Sequence, residues 1–176
     1  MQNIAWIDLE TTGTDEHKDS ILEIACIITN KQWVEQDRVN IIVKPDPMPE
    51  NISPIVLDMH TKNGLWNDVV SNGISIKDAD WKLNEFLGGY LGGAKNLVLA
   101  GSGVSHFDSR FIKAQLPISN QRLTFWSYDV GAVRRFLECA GIKGIKNVKK
   151  HRAMGDVEQH LEDWVNALDK VKGVTQ

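Results

Sequence analysis

The sequence predicts an α/β sandwich built on a mixed sheet. Three apolar runs of strand length come first, at residues 3–9, 21–29 and 33–43. Apolar positions then recur at intervals of three and four from residue 76, and a short apolar run at residues 96–100 falls between helical stretches. Strands followed by strand–helix alternation place helices on both faces of a sheet that combines antiparallel and parallel pairs. The 176 residues show no internal repeat, low-complexity tract or linker and read as one domain, 1–176, and 42% apolar content fills a core without disulfides.

Residues 3–9 are nearly continuous in apolar character, as in a central strand covered on both faces. Thr11-Thr12-Gly13-Thr14 follows as a turn. Residues 21–29 and 33–43 read as strands joined by a tight connection at Asn30-Lys31, which makes the first three strands an antiparallel meander. The prolines of residues 44–49 break regular structure. Helical spacing returns at residues 53–59 and at 76–91, where Ala79, Leu83, Phe86, Leu87 and Tyr90 share a face. Residues 96–100 form a buried strand and residues 108–115 a helix. Asp129 stands where an N-cap belongs for a helix at 130–140, and Gly141 where its C-cap residue belongs. The last helix covers residues 155–171.

A net charge of −3 is not the diffuse basic footprint of a structural nucleic-acid-binding protein, although it leaves room for a local basic patch that steers a substrate. Cys26 and Cys139 lie in apolar stretches without a metal-binding spacing and read as small buried hydrophobes, which suits a reducing cytoplasm. The first ten residues already contain two acids, unlike a signal peptide, and no apolar run reaches membrane-spanning length.

Asp8 and Glu10 carry the sharpest chemical signal. Residues i and i+2 of a strand point to the same face, so both carboxylates leave the end of the first strand side by side. Like charges that close repel unless a cation lies between them, and oxygen donors without Cys or His suit Mg²⁺ or Mn²⁺. A solvated strand end would also accommodate the pair. The glycine two residues beyond Thr11 allows a tight turn and close approach of a ligand.

Asp8-Leu9-Glu10-Thr11-Thr12-Gly13 resembles the first motif of the DEDD superfamily of 3′→5′ exonucleases, which includes oligoribonuclease, ribonuclease T and the proofreading subunit of bacterial replicative polymerases. Phe107-Asp108-Ser109-Arg110-Phe111 resembles the second motif; taken alone, Asp108 is equally an acid in the first turn of a helix. His151, five residues before Asp156, resembles the third motif of the histidine-bearing subgroup. Asp129 reads better as a cap than as a ligand.

The resemblance implies a ribonuclease H-like fold with a five-stranded sheet. It implies two divalent ions, Mg²⁺ or Mn²⁺, about 3.5–4 Å apart and held by Asp8, Glu10, Asp108 and Asp156. It also implies His151 as general base, Glu10 and the Thr11 backbone at the terminal 3′-OH, and nucleoside 5′-monophosphates as products. Phe107 stands beside Asp108 as a candidate for base stacking, and His60 with Gly64-Leu65 is similar in spacing to oligoribonuclease. The chain departs from the family pattern at Gly103, Thr14 and Ile55, where an asparagine, a leucine wedge and a tryptophan are usual.

The expected substrate is the 3′ end of single-stranded RNA or DNA, with short RNA favoured. A DNA-proofreading exonuclease is the alternative within the class, and a non-catalytic nucleic-acid-binding domain is the alternative outside it. Lys143, Lys146, Lys149, Lys150 and Arg152 form a basic run; such runs are usually solvated loops, but this one leads into the third motif, with Lys149 and Lys150 placed to attract the phosphate backbone. Of six tryptophans, Trp6 reads as core, while Trp66 and Trp126 lie near loops, where core packing competes with base stacking. Resemblance to oligoribonuclease further implies a homodimer.

Overall fold

The computed structural model describes residues 2–50, 52–142 and 151–174. In chain order these form strands β1 (Ile4–Thr11), β2 (Ile21–Thr29) and β3 (Glu35–Ile42), then helices α1 (Pro54–Lys62), α2 (Leu65–Asn72) and α3 (Ile76–Gly89). Strand β4 (Leu97–Gly101), helices α4 (Asp108–Gln115) and α5 (Pro117–Asn120), strand β5 (Leu123–Asp129) and helices α6 (Val130–Cys139) and α7 (Ala153–Val174) complete them. The sheet has five strands in the order β3-β2-β1-β4-β5. β1 pairs antiparallel with β2 and parallel with β4; β2–β3 is antiparallel and β4–β5 parallel.

Alternation along β1 decides which layer each residue joins. Ala5, Ile7 and Leu9, with Ile24, Cys26 and Ile28 of β2, pack against Ala79, Leu83 and Leu87 of α3 and Phe111 of α4. Ile4 and Trp6, with Ala25 and Ile27, face the opposite way and pack against Ala153 and Val157 of α7. Both faces of the central strands are thus covered, which is why β1 and β2 read as unbroken apolar runs. Trp6 is fully buried, and its indole N–H donates to Thr29 Oγ1 at 3.0 Å. Trp33 and Trp164 meet Trp6 edge-on, with ring centroids 6.4 and 5.9 Å away.

Several sequence expectations are refined. The meander, the α3 face and the Asp129 cap hold, with the Asp129 side chain accepting from the Ala132 N–H. Gly141 follows α6 with a φ of 73°, the left-handed conformation a helix end favours in glycine. β5 supplies the fifth strand that the sequence left unplaced. It is an edge strand, and its Phe125 and Trp126 point into solvent rather than alternating with a buried face. The expectation that both cysteines are buried is corrected for Cys139, which lies on the exposed side of α6; Cys26 is buried, and burial pushes its thiol pKa up. Among the described residues, no helix is long and apolar enough to cross a membrane.

Candidate active site

The same alternation that sends Trp6 toward α7 sends Asp8 and Glu10 there too, at the carboxyl end of β1. A ladder irregularity between Glu10 and Thr11 ends the regular pairing at that point. β4 runs parallel beside β1 and delivers the loop 102–107 and the start of α4 to the same end of the sheet. Sites in α/β folds form in such places, where side chains from several strand ends converge. A cleft of about 430 Å³ opens there, lined by Asp8, Glu10, Thr11, Phe107, Asp108, His151, Asp156 and His160 among others.

Asp8, Glu10 and Asp156 each offer a carboxylate oxygen within 4.8 Å of the others, with Glu10 and Asp156 buried. Gathering three carboxylates in partly desolvated surroundings opposes folding unless positive charge balances them. An all-oxygen donor set of this size fits a hard divalent cation, so the acidic cluster points to divalent-metal dependence. Asp108 lies outside this three-acid group but lines the same cleft. It is 3% exposed, and its Oδ1 accepts from the backbone N–H of Leu9 at 3.1 Å, which ties α4 to β1 midway between Asp8 and Glu10.

His151 is exposed at the mouth of the cleft, and its backbone N–H donates to Asp156 Oδ2 at 3.2 Å. Its φ of 53° is left-handed, an unusual conformation for a residue with a Cβ. Asn63, at the end of α1, donates through its side-chain amide to the His151 carbonyl.

Arg152 is corrected from a member of the phosphate-attracting run to an internal anchor. Its guanidinium donates to Glu23 Oε1 and to Asp68 Oδ2, both at 3.0 Å. Glu23, 1% exposed and directly across from Glu10 in the β1–β2 register, also accepts from Asn40 and from the Ala153 N–H at the start of α7. The hydrogen-bonded Glu23 carboxylate raises the Arg152 pKa. Arg152→Ala would leave the Glu23 carboxylate buried with its charge uncompensated. Because the guanidinium is 32% exposed, the expected loss is below the full buried-pair penalty, roughly 2 kcal/mol. For a chain of this size that is a fall in Tm of about 4–8 °C. A thermal melt within 1 °C of the parent would refute the anchoring role (about 0.4 kcal/mol).

Of the expected substrate contacts, Thr11 and Phe107 line the cleft. The Thr11 hydroxyl donates to the Gly13 carbonyl at 2.6 Å, and Phe107 packs on Phe111 with ring centroids 5.2 Å apart. His60 is corrected: it is fully buried behind the cleft, and its ring Nε2 donates to the Thr11 carbonyl at 3.0 Å. Burial lowers its pKa and keeps the ring neutral, so it supports the Thr11 backbone instead of touching substrate. Lys149 and Lys150 lie outside the described residues. Trp66 packs on a small cluster with Leu22, Leu65 and Val69, and Trp126 meets Tyr128 edge-on at 5.7 Å.

Three contributions were missed by sequence reasoning. One is His160, four residues beyond Asp156 on α7, a spacing that shares a helix face. Another is Glu23, which stood out as the lone charge within an apolar strand. The third is the loop 102–107, held by Asp129, which accepts from the Gly103 N–H at 3.1 Å and the Ser105 hydroxyl at 2.8 Å. Burial alone would raise the Asp129 pKa, but hydrogen bonds from Ser105, Gly103 and Ala132 outweigh it and hold the carboxyl below its usual range. Arg134 of α6 secures the same loop, bridging Asp163 of α7 and the Ser102 hydroxyl.

The chain is similar to a probable oligoribonuclease of Dictyostelium discoideum, 29% identical over 166 residues that cover 92% of this chain and 86% of the relative. It is likewise 29% identical over 168 residues to the human mitochondrial oligoribonuclease, covering 92% and 70% of the two chains. The fold matches the zinc-bound form of the E. coli ExoI–ssDNA complex with a TM-score of 0.73 at 15% identity, covering 98% of this chain and 41% of that one. Exonuclease I from Methylocaldum szegediense matches with a TM-score of 0.72 at 17% identity, covering 96% and 40%. The chain therefore spans about two fifths of the length of those solved structures. The family model described as Exonuclease (RNase_T) matches residues 5–162, which takes in the acidic cluster and both cleft histidines of the third motif region. The chain belongs to the RNase_T exonuclease family.

Proposed function

We propose that the protein is a 3′→5′ exonuclease that removes nucleotides one at a time from short single-stranded RNA and releases nucleoside 5′-monophosphates. The observation that carries this reading is the cluster of Asp8, Glu10 and Asp156 with the exposed His151 hydrogen-bonded to it at the cleft mouth. The oligoribonuclease names of relatives near 29% identity support the preference for short RNA over DNA.

In this reading Asp8, Glu10, Asp108 and Asp156 hold two divalent ions, Mg²⁺ or Mn²⁺. Such ions supply charge stabilisation at the phosphate and at the attacking and leaving oxygens. The residues of the chain do the rest. His151 takes a proton from the water whose oxygen bonds to phosphorus. The P–O3′ bond breaks, and its electron pair leaves with the 3′ oxygen of the shortened strand, which takes a proton from solvent to become the new 3′-OH. Glu10 and the Thr11 backbone, braced from behind by His60, receive the terminal 3′-OH. Phe107 stacks on the terminal base, and Lys149 and Lys150 draw in the phosphate backbone. Cytoplasmic action and a homodimer belong to the same proposal; the exposed Phe125 and Trp126 on the β5 edge, with exposed Phe136 on α6, support the dimer.

Short RNA and DNA oligomers ending in a 3′-hydroxyl or a 3′-phosphate provide the test. The hydroxyl-ended RNA should be degraded at least roughly tenfold faster than its phosphorylated counterpart, because a pocket built for a hydroxyl rejects a group it cannot pair. Equal rates would refute recognition of the 3′-hydroxyl, and cuts within a circular single strand would make the protein an endonuclease.

A further inference from the structure

We propose that His160 is a nitrogen ligand of the divalent site, reaching the ion through the side of Asp8 that faces α7. The proposal rests on the exonuclease reading only in placing a cation at Asp8. Its geometry comes from α7, which carries Asp156 and His160 four residues apart on one face, a spacing that presents two donors to one side of a helix. His160 is 5% exposed and lines the cleft, so its ring is directed inward rather than toward bulk water. The register that holds it there is fixed on both sides, by Val157 packed under the sheet and by Trp164 packed on Trp6 and Tyr128.

The distance from His160 to Asp8 fits two donors that share one ion. His160 Nδ1 lies 4.0 Å from Asp8 Oδ1, beyond hydrogen-bonding range. Two donors on one divalent ion, each about 2.1 Å from it, stand about 3.0 Å apart when adjacent and about 4.2 Å apart when opposite. The observed separation falls inside that interval. His160 is not part of the compact group formed by Asp8, Glu10 and Asp156, so it addresses Asp8 from outside that triangle. An imidazole in an otherwise all-oxygen set favours a transition metal over magnesium, because nitrogen donors suit borderline ions and Mg²⁺ demands oxygen. The site is thereby tuned toward Mn²⁺.

The experiment is pulsed electron paramagnetic resonance of the Mn²⁺-loaded protein, which detects a nitrogen nucleus bound directly to the ion. Wild type should show imidazole nitrogen modulation, and His160→Gln should lose it. His151→Asn and His106→Gln should both keep it, which excludes the other two cleft histidines as its source. His160→Asn, which puts an oxygen donor near the place of Nδ1, guards against a folding defect: it should still bind Mn²⁺ but without the nitrogen signal. Calorimetric titration should show Mn²⁺ affinity reduced roughly tenfold in His160→Gln, and Mg²⁺ affinity by less than about threefold. Absence of the nitrogen signal in wild type, or its persistence in both His160 variants, overturns the proposal. If Mn²⁺ binds and nucleotides are released but no nitrogen signal appears, the exonuclease reading stands alone. If the nitrogen signal appears in a protein that cleaves no RNA or DNA, the His160 site stands and the exonuclease reading falls.

Discussion

Asp8→Ala is expected to abolish hydrolysis while leaving the fold intact. Asp8 belongs to the acidic cluster and also lies 4.0 Å from His160 Nδ1, so its carboxylate joins the donors on the β1 side of the cleft to those on α7. Its loss should lower the single-turnover rate by at least about 10³-fold, equivalent to about 4 kcal/mol of transition-state stabilisation. Stability should move the other way. Removing one of several clustered carboxylates relieves like-charge repulsion in metal-free protein, so the metal-free Tm of the variant should equal or exceed that of wild type. The rise in Tm that Mn²⁺ gives wild type should largely vanish, because a ligand stabilises only the state it binds. A folded Asp8→Ala protein that cleaves at a near-wild-type rate would sink the assignment of this cluster as the catalytic centre.

His151→Asn is expected to slow the chemical step by roughly 10²–10⁴-fold, the range of a lost general base. Asparagine is the informative replacement because it tolerates the left-handed backbone at this position, whereas alanine would add strain there. The hydrogen bonds of the residue to Asp156 and Asn63 run through its main chain and survive the change. Binding of a short strand in calcium should therefore be little altered. Lys149→Ala combined with Lys150→Ala should do the opposite, weakening binding and flattening its salt dependence while the saturated rate survives. Single-turnover kinetics across a salt series separates the two. If His151→Asn weakens binding but preserves the saturated rate, the imidazole is a phosphate contact and the base lies elsewhere.

What could be read in the sequence follows from how local each signal is. Asp8 and Glu10 announce themselves because two residues apart on a strand fixes a shared face, and their strand ends where a glycine follows closely. Gly13 faces a neighbour other than a ligand: a Cβ there would meet the Asp19 carboxylate, which would have to shift. Asp156 and His151 were likewise legible, being five residues apart beside a helix start. β5 was not, because an edge strand with Phe125 fully exposed lacks the alternation that marks a half-buried strand. The pairing of Glu23 with Arg152 spans 129 residues, and nothing local to either one reveals the other. His60 illustrates the reverse error. Its helix and spacing were visible, but that α1 presses the ring against the back of Thr11 is a tertiary fact. His160 needed both kinds of information, since its helical offset from Asp156 gains meaning only once β1 is known to lie against that face.

The two ends of the acidic cluster lie near opposite ends of the described residues, so they leave the ribosome far apart in time. Asp8 lies on the first strand and Asp156 on the last helix, and α7 brings Asp156, His160 and the Ala153 amide that meets Glu23 to a sheet built from upstream strands. A nascent chain whose α7 is still in the exit tunnel holds only part of the acidic cluster, Asp8 and Glu10 without Asp156. It also lacks His160 of the cleft and the Ala153 amide that donates to Glu23. The three-carboxylate group is therefore assembled only when α7 meets the end of β1.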